Sequence, residues 1–178
     1  MTALHAMNAF DPYPQLKSLG SASLYLEEVF SLEHVKLFED FSRDEIEALC
    51  RYMTCYAASS GCRLLTEGDE GDYLILLLTG KVSIIKQTES GDHAQIATAE
   101  PGMSLGEMSL IDGCTRFTSC YTMIPTDFAV LSRDALNSIL VQMPRLGNKL
   151  LLVLLQIMIA RLRDTSLLLF PKISYPYL

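Results

Sequence analysis

Apolar positions recur at helical spacing near both ends of the chain and at strand spacing in the middle. In "SASLYLEEVFSLEHVKLFEDF", Leu24, Leu26, Val29, Phe30, Val35 and Leu37 predict one or two short helices. "SRDEIEALCRYM" predicts a cleaner one: Ser42 is an N-cap, Glu45 its capping-box partner, and Ile46, Leu49 and Met53 face inward. Residues 1–20 show no period and contain Asp11-Pro12 and Pro14, which predicts a loose N-terminal arm ahead of a single domain over 21–178. From Ala57 to Leu131 short apolar runs are separated by turn residues: Gly61, "EGDEGD", Gly80, "ESGD", Pro101-Gly102, Gly113 and Pro125. Strands at such spacing predict an all-β sandwich, roll or barrel over about 57–131. "YLILLLTGKVSIIKQ" reads as two strands joined near Gly80, with Val82 and Ile84 alternating with Lys81 and Ser83 so that one face is buried.

Helical spacing returns after Leu131 and predicts helices over about 132–170, giving a mainly β domain with flanking helices (α+β). Ser132 caps "SRDALNSILVQM", and Pro144 suits the first turn of a long helix running to about Leu169. Leu150–Leu155 is apolar on all sides, so both faces of this helix need cover. One face packs on the β-structure. Little chain follows Phe170, so the other is expected to meet a copy of itself in a homodimer rather than to be wrapped within one domain. "LLLVLLQIMIA" is too short to span a bilayer, which takes about 20 apolar residues, and is read as a buried helix.

Composition narrows the function classes. The chain has 178 residues, 49% hydrophobic and 20% charged, enough for a real core. Its net charge of -7 makes it a poor non-specific nucleic-acid binder, which needs Lys and Arg to displace counterions. The five cysteines are odd in number and form no CxxC pair, so they point to small buried residues in a reducing cytoplasm rather than to disulfides or a metal site. "EGDEGD" reads as two tight turns, since Asp69 and Asp72 do not fit the alternation of a calcium loop. "MTALHAMNAF" has neither the basic start nor the apolar run of a signal peptide.

Candidate chemistry concentrates in "GEMSLIDGCTRF", Gly106–Phe117. A loop-to-helix start at "GEM" exposes backbone N–H groups, and a glycine admits a ligand closely. Arg116 supplies a grip on a phosphate. A carboxylate belongs beside a phosphate only if it accepts from something else, and a sugar hydroxyl is such a donor. Glu107 and Arg116 therefore suggest a compact ligand carrying both groups. The same spacing also fits a surface Glu–Arg ion pair on a β-turn.

The ordered set Gly68, Asp69, Gly71, Asp72, Gly80, Gly106, Glu107, Leu110 and Arg116 resembles the cyclic nucleotide-binding domain family over roughly residues 36–166. The resemblance implies N-terminal helices, an eight-stranded β-roll with a phosphate-binding cassette, and a long C-terminal dimerisation helix. It implies that Glu107 accepts from the ribose 2′-hydroxyl and that Arg116 holds the cyclic phosphate. Backbone N–H groups around Gly106, Met108, Ser109 and Phe117 complete the anion nest. Ile84 and Ile96 match apolar wall positions near sugar and base, positions that ordinary β-roll core would also fill. "MIARLRDTS" resembles the C-terminal helix of the catabolite activator branch, the cyclic-AMP-dependent transcription regulators. By that likeness Arg161 supports Glu107, while Thr165 and Ser166 contact the base, Ser166 reaching the other subunit's ligand; a frayed helix end is the plain alternative. Phe117 stands where the family usually has Ala, Ser or Thr, and Thr118 where Ala is frequent.

The catabolite activator branch continues into a helix-turn-helix domain, whereas this chain stops at "PKISYPYL", so direct DNA binding is not expected. His5, His34 and His93 are scattered, and no HExxH, GxSxG or phosphate loop is present, so no enzyme is expected. Cys114 lies in the cassette turn without a base to activate it. The expectation is a stand-alone cytoplasmic sensor of cyclic AMP or cyclic GMP, a homodimer with no metal or cofactor and no membrane contact, acting on an unidentified protein. A scaffold dimer with a pocket closed by Phe117, and a sensor of a cyclic dinucleotide or haem, are the alternatives.

Overall fold

The structure, a computed structural model, describes residues 16–31 and 37–169. Residues 1–15, with Pro12 and Pro14, lie outside them, as do Val35 of the first predicted helix and the closing "PKISYPYL". Two antiparallel sheets form a roll. One sheet orders β1 (Lys17–Ser21), β2 (Thr54–Ala58), β9 (Thr126–Ser132), β4 (Tyr73–Leu77) and β7 (Ser104–Leu105). The other orders β3 (Arg63–Leu65), β8 (Ser119–Thr122), β5 (Val82–Gln87) and β6 (His93–Ala99).

Residue alternation on the central strands builds two cores. On β4, Tyr73, Ile75 and Leu77 enter the roll interior with Val82, Phe128 and Val130. Leu74 and Leu76 point the other way, into a second core with Leu49, Leu131, Ile139, Leu150 and Leu154. A strand covered on both faces has no polar side, which is why "YLILL" is a continuous apolar run. Tyr56 and Phe128 stack across the β2–β9 pair, ring centroids 5.9 Å apart.

Helices close the second core. A 3₁₀ turn over Ala22–Tyr25 runs into α1 (Leu26–Ser31), within the stretch predicted as short helices. α2 (Arg43–Cys50) carries the predicted capping box, with Ser42 accepting from the Glu45 amide and Glu45 accepting from the Ser42 amide. Ile46, Leu49 and Met53 are buried, as the spacing requires. Ser132 caps α4 (Arg133–Gln142). α5 (Pro144–Leu169) crosses α4 closely at Gly147, where an added Cβ would lie 3.0 Å from the Leu140 Cα.

Two expectations change. Lys17–Ser21 is a strand, not part of a loose arm; "KSLGS" has one large apolar residue, Leu19, packed on the second core, and a single apolar position leaves no period to read. The roll accordingly has nine strands among the described residues rather than eight, and begins before Ala57. Ser83 is buried along with Val82, a small side chain between its cross-strand neighbours Thr98 and Tyr121. α5 buries Leu150, Val153, Leu154 and Ile157 and leaves Leu152, Leu155, Ile159 and Leu162 exposed, so this chain covers one face of the helix, in line with the expectation that it does not wrap both.

Lys149 ties α5 to α2. Its Nζ donates to Glu45 Oε2 at 2.6 Å and sits 4.7 Å from the Phe41 ring centroid. The Lys149 hydrogen bond, helped by the Ser42 amide, holds the Glu45 carboxyl below its ordinary value of 4.5. A depressed carboxyl stabilises the fold above its unfolded value and loses that contribution as pH falls through the folded one. Lys149→Met is therefore expected to narrow the loss of stability between pH 7 and pH 3, measured by urea unfolding at both ends. An undiminished loss would assign the acid sensitivity elsewhere.

Burial pushes the Cys50 thiol up to about 11 and the Cys120 thiol up to about 12. Cys55 and Cys62 are buried as well, Cys114 is exposed, and none of the five cysteines forms a disulfide. Among the described residues no helix is long and apolar enough to cross a membrane.

Candidate functional site

β7 delivers the chain to Gly106, which caps α3 (Glu107–Asp112), a single short helix whose N-terminus carries no side-chain cap. Its first amides are therefore left without intrahelical acceptors or a capping side chain. Glu107 is 2% exposed and Arg116 4% exposed. They are not paired with each other, which sets aside the surface ion pair on a turn.

Arg116 donates from Nη1 to the Gly106 carbonyl at 2.9 Å, which holds the guanidinium at the N-terminal end of α3. Its Cζ lies 4.3 Å from the Tyr73 ring centroid. Its Nη2 is buried with no hydrogen-bond partner. Among the described residues no carboxylate pairs with it, and a buried guanidinium with an empty donor is costly, a cost that an anion removes.

Two glycines make room for it. A Cβ on Gly106 would lie 2.5 Å from Nη1. One on Gly71 would run into Nε and lie 2.8 Å from Cδ. The "EGDEGD" turns also grip the arginine's backbone: the Arg116 amide donates to the Asp69 carbonyl at 2.8 Å, and the Gly68 amide donates to the Arg116 carbonyl at 2.9 Å. The φ of Gly71 is not left-handed, so Gly71→Ala leaves the backbone unstrained and displaces the guanidinium instead. The variant is expected to keep its melting temperature within a few degrees and to lose anionic-ligand affinity about tenfold or more, the scale of one charged hydrogen bond. Calorimetric titration checks it; full affinity would show that the guanidinium swings aside harmlessly.

Glu107 meets Arg161 of α5, Nη1 lying 3.0 Å from Oε1 and 3.1 Å from Oε2. The expected support is thus in place, and it joins the cassette to α5. Cys120 of β8 lies among these charges: beyond burial and a hydrogen bond with Thr118, Arg116, Glu107 and Arg161 all act on its thiol.

The remaining predicted residues divide. Ser109 is buried and Met108 exposed on α3. Ile84 packs half-buried on the roll core. Ile96 is 55% exposed and falls at a bulge, where Ile84 faces Ala97 and Ile85 faces Gln95; it is exposed and not core. Phe117 is 57% exposed, its ring under the Lys86 ammonium at 4.1 Å. Lys86 also donates to the Phe117 carbonyl at 2.8 Å and pairs with Glu67 at 2.5 Å. The Thr165 and Ser166 hydroxyls each donate to the carbonyl four residues back, Arg161 and Leu162, both at 2.8 Å, so the helix is regular here and not frayed.

Two residues escaped the sequence reading. Ser104 donates from its hydroxyl to Glu107 Oε1 and accepts at its carbonyl from Arg161 Nη2 at 2.6 Å. Arg133 gathers the Leu110 and Ser109 carbonyls at the end of α3 and the Gly71 carbonyl, fastening the cassette to the head of α4. Neither belongs to a short motif. Arg133 acts on backbone carbonyls, which any sequence supplies, and Ser104 combines its own carbonyl with a hydroxyl that has no motif around it.

The sequence profile described as "Cyclic nucleotide-binding domain" matches residues 57–143, which hold both Glu107 and Arg116. A crystal structure of a cyclic nucleotide-binding domain from Methylobacillus flagellatus KT is 47% identical, superposes with a TM-score of 0.80, and is matched over 95% of this chain and 94% of its own. The chain belongs to the cyclic nucleotide-binding domain family. Within that family it is similar to the catabolite activator protein of Thermus thermophilus, at 26% identity and a TM-score of 0.69 over 75% of this chain and 61% of that one. It is also 28% identical, over 76% of its length, to the CRP-like cAMP-activated global transcriptional regulator of Mycobacterium tuberculosis. The chain spans 58% of the length of that regulator.

Proposed function

We propose that this cyclic nucleotide-binding domain is a cytoplasmic sensor of cyclic AMP that forms a homodimer through α5 and signals to a protein partner without catalysing a reaction. The observation that carries the ligand class is the buried, unpartnered Nη2 of Arg116, beside an uncapped helix start and a carboxylate held ready by Arg161. The Arg116 guanidinium takes the cyclic phosphate, and Glu107 accepts from the ribose hydroxyl. The adenine preference is supported by the cAMP-activated relative, and the non-catalytic role by the lack of a recognisable catalytic set in the sequence. Arg161 gives occupancy a route to α5, since it touches the cassette and belongs to the helix. Ligand then shifts the population of α5 positions, and the partner reads the changed surface.

Titration of nucleotide-stripped protein with cyclic AMP, then cyclic GMP, tests this. Micromolar or tighter binding of cyclic AMP is expected; silence toward both overturns the proposal and favours a scaffold whose pocket is closed at Phe117.

The dimer is supported by the exposed residues Leu152, Leu155, Ile159 and Leu162, which follow 3-4-3 spacing, the seam of a two-stranded coil. Ser166 continues the same stripe and so faces the second protomer. The double variant Leu155→Glu/Leu162→Glu is expected to halve the mass seen by light scattering while leaving the helical circular dichroism unchanged. A parent protein that is already a monomer at micromolar concentration would refute the dimer.

A further inference from the structure

Ser104 is 2% exposed, on β7 opposite Leu76 of β4. A lone hydroxyl at that depth needs a partner, and it has a charged one. Its Oγ donates to Glu107 Oε1, while its carbonyl accepts from Arg161 Nη2 at 2.6 Å. Arg161 in turn spans both Glu107 oxygens, at 3.0 and 3.1 Å. Side chain and backbone of one residue thus close a ring through the carboxylate and the guanidinium. A glutamate carboxylate has about four acceptor sites. Ser104 fills one of them, and Arg161 bridges the two oxygens, so acceptor capacity remains for another donor. Ser104 also fixes the plane of the carboxyl group, because a single donor on Oε1 opposes rotation about the terminal bond, which is otherwise broad.

We propose that Ser104 is a specificity-determining positioning residue. Its hydroxyl locks the Glu107 carboxylate in the orientation that reads a ribose 2′-hydroxyl, so that discrimination between a ribonucleotide and a 2′-deoxyribonucleotide depends on it. This rests on the assignment of Glu107 as the acceptor for the sugar. It adds a residue that touches no ligand and acts through the carboxylate.

The test is a set of four dissociation constants by calorimetric titration: cyclic AMP and 2′-deoxy cyclic AMP, each against the parent protein and Ser104→Ala. Cyclic GMP and its 2′-deoxy analogue replace them if they bind more tightly. Ser104→Ala is expected to weaken binding of the ribonucleotide about tenfold, the scale of one hydrogen bond to a charged group. Affinity for the 2′-deoxy analogue should stay within about twofold, so that the preference between the two sugars shrinks. Ser104→Thr, which keeps the hydroxyl, is expected to restore the preference and also guards against a misfolded Ala variant. Equal weakening toward both sugars, or no change toward either, overturns the role of Ser104 while leaving the nucleotide reading intact. A parent protein that binds neither sugar overturns the nucleotide reading and the role of Ser104 with it.

Discussion

Arg116→Met is expected to bind cyclic AMP more weakly by about 2–5 kcal/mol, roughly thirtyfold to several-thousand-fold, while unfolding at nearly the same urea concentration as its parent. The two halves of that result have different causes. In the complex, the guanidinium neutralises a phosphate in a site closed to water, and removing one member of such a pair leaves the other charge buried alone. In the free protein there is no such pair. Nη2 is buried without a hydrogen-bond partner, and among the described residues the bond to the Gly106 carbonyl and the stacking on Tyr73 oppose the cost of desolvating the guanidinium. Methionine keeps much of the apolar stem, adapts to irregular space and removes the buried charge. Its effect on stability is therefore expected within about 1 kcal/mol, in either direction. Unchanged affinity would refute Arg116 as the phosphate holder. A large fall in stability with affinity preserved would make it a structural residue.

Gly80→Ala should be the most damaging single methyl group in the roll. Gly80 turns the chain from β4 in one sheet toward β5 in the other with a φ of +84°, the left-handed region that L side chains rarely adopt. A Cβ there would strike the Thr126 hydroxyl and lie 2.7 Å from both the Pro125 carbonyl oxygen and the Thr126 Cα. Two of these obstacles are backbone, in a neighbouring turn held by its own hydrogen bonds, so they cannot rotate aside. Backbone strain of about 1–2 kcal/mol and overpacking of about 1–3 kcal/mol together put the loss near 3 kcal/mol. In a domain of this size that lowers the melting temperature by roughly 6–12 °C. Gly61→Ala is the control, since Gly61 has a φ of +78° with nothing within 4 Å of its Cβ. It should show the strain alone, and equal losses at both sites would remove crowding from the account.

How much was legible follows from how each feature is encoded. Caps are local chemistry, so Ser42 with Glu45, and Ser132, could be placed before any fold was known. Glu107 and Arg116 announced themselves because a carboxylate and a guanidinium share a short Gly-bounded segment, and Arg161 because its helix resembles a known one. Three-dimensional relations were less accessible. Spacing left Glu107 and Arg116 free to pair with each other, yet the partner of Glu107 lies 54 positions along the chain. "EGDEGD" looked like punctuation, but its turns and Gly71 are the cradle of Arg116. β1 escaped because it is an edge strand with one large apolar side chain, Leu19, too few to show an alternating pattern. The apolar band of α5 was visible, but which of its faces this chain covers was decided only by the second core.

The cysteine distribution has a practical consequence. Four thiols lie inside the protein, while Cys114 is exposed two residues before Arg116, its amide bonded to Asp112 at 2.8 Å. A maleimide dye added to the folded wild-type protein will therefore attach at Cys114, with no need to engineer the other cysteines away. Its emission would follow the cassette turn itself, giving a stopped-flow reporter of how fast that turn settles when nucleotide arrives.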